Sequence, residues 1–433
     1  MASGKSIFKN ASWIVVCSIV QALISLIIGM ISARYLGPDN YGLISYASSI
    51  VMFIVPVVQL GFRNTLVQEV VASPDKEGET LGTILLSSIV CSFFGIIGIL
   101  SFVSIVNRGE QDTIIVCALY SISLIFQMTQ MIQYWFQAKL ISKYISITSL
   151  FAYVLVSVYK IYLLVTEKSM YWFSVANAFD YLIISVILFI IYYKLGGQRL
   201  LFSFSRFRTL FSKSKYYIVS GMMITVFSQT DKIMIKLMMG DAQTGFYTAA
   251  ATCTTMTSFV FTAIIDSFRP VIFEYKLIDE AKYDKNIKRL YSIIIYVALL
   301  QSFVLTVFSG FIIDILYGAE YFAASSILRV LTWYGAFSYM GSVRNIWILA
   351  EGKQKYLWII NLCGAVLNVI GNFILINLWG AEGAALSSVI TQLFTNVILC
   401  VIIKPIRPCF KIIVKSLNPK LIFELISSYK IRK

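Results

Sequence analysis

The chain alternates long apolar runs with short polar breaks, and the length of the runs decides what they can be. A helix rises about 1.5 Å per residue, so about 20 mostly apolar residues cross a hydrocarbon layer of about 30 Å. Inside that layer each backbone amide must find a partner within the protein, which leaves helices for runs of this kind. Twelve runs pass the length test: residues 10–35, 43–62, 81–106, 113–136, 145–165, 170–193, 216–239, 246–268, 290–313, 325–349, 356–378 and 383–403. The pattern predicts an all-α polytopic membrane protein. The first run is too long for a secretory leader and has no obvious small-residue cleavage site, so it is expected to remain as a span.

Composition agrees with the pattern. Hydrophobic residues make up 58% of the 433 and charged residues 13%, with a mean hydropathy of +0.81, values that do not suit a water-soluble globule. The net charge of +15 changes the picture only through its placement. The N-terminus carries Lys5 and Lys9. The connection after span six carries Lys194, Arg199, Arg206, Arg208, Lys213 and Lys215, the one after span eight carries Lys276, Lys282, Lys285, Lys288 and Arg289, and the tail from Lys404 to Lys433 carries eight cations. The opposite connections hold little beyond Arg34, Arg108 and Lys168. Lys and Arg stay on the cytoplasmic side, so both termini are expected there. These short collars between spans orient the chain and imply no nucleic-acid partner. In the segment RLLFSFSRFRTLF (199–211), Phe and Leu interleave with Arg, as in a helix lying among anionic headgroups; a simple tether is the alternative. Pro405, Pro408 and Pro419 interrupt the tail too often for another span, and it is expected to be cytoplasmic and partly interfacial.

The breaks repeat. Gly37-Pro38-Asp39-Asn40-Tyr41-Gly42 separates spans one and two, and Gly240-Asp241-Ala242-Gln243-Thr244-Gly245 separates spans seven and eight, each followed by Tyr and Ala in the next run. Lys143-Tyr144 opens span five as Lys355-Tyr356 opens span eleven. A duplicated six-helix unit explains both, and because six is even the copies run the same way through the bilayer, an arrangement carriers use with substrate between the halves. The expected organisation is a six-helix lobe over 1–193, a basic linker over 194–215, a second lobe over 216–404 and a basic tail over 405–433.

Several chemistries lack their residues. The sequence has no His, hence no imidazole base or metal ligand. Its seven Cys have no metal-ligand spacing and sit mostly inside spans, as small apolar fillers. Gly4-Lys5-Ser6 mimics the end of a phosphate-binding loop without the glycine and strand that should precede it. No enzyme activity, cofactor or metal is expected.

Three stretches together resemble the Wzx-type polysaccharide flippases of the multidrug/oligosaccharidyl-lipid/polysaccharide (MOP) exporter superfamily: FKNASWIVVCSIVQALISLIIGMISARYLGPDNYGLISYA at the start, SQTDKIMIKLMMGDAQTGFYTAAA at 228–251, and AEGKQKYLWIINLCGAVLNVIGNFILINLWGAEGAALSSVITQ at 350–392. The resemblance implies two six-helix lobes around a central cavity, related by a parallel pseudo-two-fold. It also implies transfer of undecaprenyl-diphosphate-linked oligosaccharide to the outer leaflet for O-antigen, capsule or exopolysaccharide assembly, with membrane lipids and other assembly proteins as partners. Coupling to a proton or sodium gradient belongs to the same expectation. An ion-coupled drug or metabolite antiporter of the superfamily is the first alternative, and a membrane-embedded glycosyltransferase or polymerase the second, although the short outer connections leave little room to hold acceptor sugars.

A charge at bilayer depth is costly unless it meets a partner or a wet cavity, so each one is a candidate. A diphosphate head calls for cations. Lys160 lies deep in span five, at the position that the repeat pairs with Asn372. Arg344, with Asn345 beside it, and Arg34 at the outer end of span one are further candidates for substrate, Arg34 having snorkelling as its alternative. Asn368 and Asn372 share one face of span eleven at i, i+4, either for sugars or as interhelical glue, the latter being the commoner use. Asp231 is expected to face the cavity and pair with a cation of the other lobe, and adjacent Lys232 projects elsewhere. Arg63 and Asp266 occupy equivalent places near the inner ends of spans two and eight, and Arg269 lies one turn after Asp266, an arrangement for an inner gate or for plain interfacial charge. Asp180 in span six completes the gating and coupling set.

Overall fold

The structure, a computed structural model, describes the backbone from Gly4 to Pro419 and the side chains from Cys17 onward, Ser18 excepted. The expectations placed on Lys5, Lys9 and the last tail residues therefore lie outside the described side chains. The chain falls into two compact units, Met1–Gln229 and Thr230–Lys433. Among the described residues there is helix and no strand.

The first unit contains α1 (Gly4–Val58), α2 (Phe62–Ala72), α3 (Glu77–Val106), α4 (Gln111–Ser121), α5 (Ser123–Thr129), α6 (Gln133–Ala138), α7 (Lys143–Val165), α8 (Met170–Lys194) and most of α9 (Phe204–Met239). The second contains α10 (Asp241–Thr255), α11 (Ser258–Ile278), α12 (Glu280–Val307), α13 (Ser309–Tyr317), α14 (Ala324–Ala350), α15 (Leu357–Leu393), a π turn over Phe394–Ile398, α16 (Leu399–Ile402) and α17 (Arg407–Ser416). Among the described residues, eight runs are long and apolar enough to cross a membrane. Two of them, Ile19–Val58 and Gln354–Ile402, contain 40 and 49 residues, at about 1.5 Å per residue twice what one crossing needs. Each is broken by a glycine in the left-handed half of backbone space, Gly37 and Gly380. Dividing these two and adding the more polar α9 and α14 is consistent with the twelve crossings read from hydropathy.

The helices expose the side chains that lipid requires. Phe94 in α3 is 70% exposed and Val165 in α7 78%, and these apolar faces are suited to acyl chains as solvent. Each unit also has its own core. Phe62, Leu66, Leu81, Trp135, Tyr192 and Leu210 cluster in the first, and Ile287, Tyr291, Val343, Trp347, Cys409 and Ile413 in the second.

The backbone is consistent with the repeat. Gly37 sits at φ 72°, ψ 169° and Gly240 at φ 92°, ψ −172°, a region essentially closed to residues with a Cβ. The neighbours correspond as well. α1 and α3 pack on α4, and α4 on α8; in the second unit α10 and α12 pack on α14, and α14 on the π turn of the last span.

One expectation needs correction. Residues 199–211 do not form a separate interfacial helix. Their first part is stitched to the start of α3, with the Gln198 side chain accepting from Gly78 N at 3.0 Å and donating to Pro74 O at 2.9 Å, and Ser203 N donating to Thr83 Oγ1 at 3.1 Å. From Phe204 they are the opening turns of α9, where Glu69 of α2 accepts from Arg206 at 2.9 Å and from Lys213 at 2.6 Å. A buried carboxylate has drawn in the arginine that was assigned to lipid. The boundary between the two compact units falls within α9. In the tail, Arg407–Ser416 is a short amphipathic helix that packs on α12, burying Cys409, Ile412, Ile413 and Ser416, with Tyr291 Oη 3.1 Å from Cys409 Sγ.

Candidate functional site

The strongest polar constellation belongs to the second unit and centres on Asp231, which is buried. α9 carries the aspartate and α10 brings Tyr247, whose hydroxyl donates to Oδ2 at 2.5 Å. The first half of α15 brings Asn368 and Asn372 on one face, donating to Oδ1 at 3.1 and 2.6 Å. The tight turn at Trp379 and Gly380 folds the second half of α15 back alongside the first, so that Ser388 donates to Oδ2 at 2.5 Å. Four donors from three other spans thus converge on one carboxylate, and all five residues are buried.

Asp231 was expected to face the cavity and pair with a cation of the other lobe. Instead both of its oxygens are occupied by neutral donors of its own unit. Asn368 and Asn372 do act between helices, as the commoner use of such pairs suggested, but their object is this carboxylate. The reason is energetic: a buried charge needs hydrogen bonds on every lone pair it can fill, and amides and hydroxyls supply them without burying a second charge. The Asn372 Oδ1 acceptor remains unpartnered. The site therefore combines one negative charge with a spare acceptor.

Arg344 also departs from expectation. It is buried in α14, and its guanidinium donates to Thr395 O at 2.7 Å, Asn396 Oδ1 at 2.8 Å and Asn345 Oδ1 at 2.9 Å. Thr395 and Asn396 lie in the π turn, where the helical ladder is locally disturbed and a carbonyl is available to an outside donor. Arg344 is thus a buried helix clasp, with the half-buried Asn345 as one of its acceptors.

In the first unit, Lys160 of α7 is half-buried and electrostatically coupled to Asp180 of the adjacent α8. Among the described residues no carboxylate lies within ion-pairing distance of Lys160, and Asp180 Oδ1 is buried without a hydrogen-bond partner. In the same unit the Tyr159 hydroxyl of α7 is also unpartnered, and Asn177 of α8 donates to Tyr120, which donates to Ser48 at 3.0 Å. Sequence reading found Lys160 and Asp180 but missed the tyrosines, Asn177 and Ser48, and in the second unit it missed Tyr247 and Ser388. A Tyr soon after each glycine break, Tyr46 after the first and Tyr247 after the second, was the available signal for Tyr247.

The remaining candidates are peripheral. Asp266 and Arg269 meet at 3.3 Å, as their spacing predicts, with both side chains about half exposed; such a pair contributes little stability. Arg63 is exposed and lies 5.4 Å from the Tyr134 ring centroid, in cation–π range. Arg34 is exposed at the end of the first span, and Lys232 is half-buried beside Asp231.

Two units of long apolar helices, one carrying a caged carboxylate and the other a half-buried lysine near a carboxylate, define a multi-pass membrane protein. The chain belongs to the polysaccharide biosynthesis protein family, whose model matches residues 7–276. An uncharacterized membrane protein of Methanocaldococcus jannaschii is 25% identical over 236 residues, an alignment that takes in 51% of this chain and 46% of that one, so the match spans less than half the length of that relative. Among solved structures, the lipid II flippase MurJ in an inward closed conformation superposes with a TM-score of 0.70 at 15% identity, covering 96% of this chain and 92% of that chain. An inward-facing multidrug resistance MATE family transporter of the MOP superfamily gives 0.67 at 13%, covering 90% and 96%. The MATE multidrug transporter DinF-BH gives 0.64 at 14%, covering 94% and 97%. The fold is therefore the one these carriers share.

Proposed function

We propose that the protein flips undecaprenyl-diphosphate-linked oligosaccharide units from the inner to the outer leaflet of a bacterial cytoplasmic membrane, by alternating access, for assembly of O-antigen, capsule or exopolysaccharide. The observation that carries this reading is the polysaccharide-biosynthesis match over most of the chain, on a fold shared with a lipid II flippase. Lys160 supports it: a half-buried cation in mid-span, without an ion-pair partner among the described residues, suits a diphosphate head and disfavours the cationic drugs of the antiporter alternative. A proton or sodium gradient supplies the drive, with Asp231 as the group that takes up the ion. Both termini face the cytoplasm, on the side of the basic collars.

The test is a deletion strain assayed for lipid-linked repeat units held on the cytoplasmic leaflet. Accumulation on deletion, cleared by the wild-type gene and not by Lys160→Ala, is the expected result. Clearance by Lys160→Ala removes that cation from the site. Absence of accumulation on deletion overturns flipping, and drug export by the same strain then favours the antiporter.

A further inference from the structure

We propose a sugar-binding subsite in the second unit, in the cavity that opens between the connections joining spans seven to eight, nine to ten and eleven to twelve. The cavity has a volume of about 280 Å³ and is lined by Met239, Gln243, Ser326, Trp379 and Glu382, among others. This is a different place from the Asp231 cage, and the proposal rests on the flippase reading given above.

Three features give the cavity its chemistry. The first is Trp379, which is 57% exposed although it sits inside the fold-back of α15. The backbone leaves the helical region at Trp379 and Gly380, and this break sets the indole at the cavity wall. An exposed indole face offers the C–H-rich face of a pyranose a broad apolar platform. The second is that the polar groups on the wall have capacity to spare. Among the described residues, the Glu382 carboxylate and the Gln243 amide make no hydrogen bond or ion pair, and the Ser326 hydroxyl, donating to Ala323 O at 3.0 Å, still accepts. A carboxylate, an amide and a hydroxyl beside an aromatic ring match the alternating donors and acceptors of vicinal sugar hydroxyls.

The third is charge. Glu382 lies on the cavity wall, and among the described residues no cation lines it. The subsite therefore takes neutral or amino sugars and repels acidic ones, the opposite of what a diphosphate needs. The division of labour follows: cations elsewhere hold the diphosphate, and this subsite holds part of the glycan. All three connections lie on the face opposite the basic collars, which the charge distribution assigns to the outside, so the subsite receives the glycan at the exit.

The experiment uses full-length protein in nanodiscs and soluble short oligosaccharides without lipid or phosphate, in neutral, amino and uronic acid forms, titrated by saturation-transfer NMR. Flipping of lipid-diphosphate-linked oligosaccharide is measured in parallel on the same preparations. Wild type is expected to bind the neutral and amino forms and not the uronic acids. Trp379→Ala is expected to weaken binding by about tenfold, the scale of one aromatic contact, with Trp379→Tyr keeping most of it, and Glu382→Gln is expected to admit the uronic acids. Equal binding by wild type and Trp379→Ala overturns the subsite, as does wild type that flips substrate but binds no soluble sugar. Wild type that flips no lipid-linked oligosaccharide at all, while melting cooperatively, overturns the flippase reading and the subsite with it.

Discussion

Asn372 Nδ2 lies 2.6 Å from Asp231 Oδ1, a bond between span eleven and span seven in which neither partner is exposed. The bond is one of four, and it separates two roles that the aspartate combines. As an acceptor it satisfies amides and hydroxyls of three other spans; as a charge it is the only feature there able to respond to an ion gradient. Asp231→Ala removes both and leaves buried donors unsatisfied, at about 1–3 kcal/mol. Asp231→Asn keeps the shape and removes the charge; its oxygen still accepts from Asn368 and Asn372, and its NH2 can donate to the hydroxyls of Tyr247 and Ser388, which rotate to accept. Melting in detergent should therefore show Asp231→Ala clearly destabilised and Asp231→Asn close to wild type. In proteoliposomes Asp231→Asn should flip at a rate indifferent to imposed proton or sodium gradients. A gradient response that survives in Asp231→Asn removes the aspartate from coupling.

Arg344 makes the contrasting case. Its contacts are the carbonyl of Thr395 and the side-chain oxygens of Asn396 and Asn345, so its loss acts on the seam between α14 and the π turn. Lysine lacks the planar fork that reaches several acceptors at once. Arg344→Lys should lower Tm, by an amount corresponding to about 1–3 kcal/mol, while leaving the substrate KM of the flipping reaction as in wild type. A raised KM with unchanged Tm would return Arg344 to the substrate.

These two residues also mark how far the sequence could be read. Run lengths and glycine breaks located the spans, because bilayer thickness and backbone sterics act on local sequence. The i, i+4 spacing of Asn368 and Asn372 and the i, i+3 spacing of Asp266 and Arg269 were equally local and appear in the structure as read. What a buried charge faces is a property of other spans. Nothing local to Arg344 announces a π turn about 50 residues later, so an arginine that clasps a carbonyl reads like one awaiting a phosphate. Likewise Asp231 could not be matched to Ser388 without knowing that α15 folds back on itself at Gly380. The same limit applied to Arg206, whose partner Glu69 lies far back along the chain in α2.

That fold-back supplies a packing prediction. A Cβ built on Gly383 would lie 1.9 Å from the Leu375 carbonyl oxygen, so the two halves of α15 approach with no space for a methyl group, and backbone gives way poorly. Gly383→Ala should open the turn that carries Ser388 to Asp231 and sharply reduce folded protein in the membrane. Gly29, within α1, has nothing within 4 Å of its Cβ position, and Gly29→Ala should be neutral or slightly stabilising, since alanine favours helix by up to about 1 kcal/mol. Size-exclusion profiles of the two variants in detergent compare them directly. A monodisperse Gly383→Ala at wild-type yield would show that the turn tolerates separation.

A last relationship lies outside the spans and depends on pH. Glu351, just past the end of α14, accepts from Lys276 Nζ at 2.7 Å and from Tyr283 Oη at 3.0 Å, with Lys353 at 4.0 Å, so that one carboxylate ties α11 and α12 to the end of α14. Burial by itself would push its pKa up, but the hydrogen bonds from Lys276 and Tyr283 and the charges of Lys276 and Lys353 outweigh it, and the carboxyl is held below the usual range. A carboxylate with a depressed folded-state pKa contributes stability that is fully present above its unfolded value, about 4.3, and is lost as pH falls through the lower folded value. Glu351→Gln should therefore melt below wild type at pH 7. The gap should narrow as pH drops under about 4 and close once the wild-type carboxyl is protonated. Thermal melts of the two proteins in the same detergent across that range test the sign. A gap independent of pH would mean that Glu351 holds the helices by shape and neutral hydrogen bonding, not by its charge.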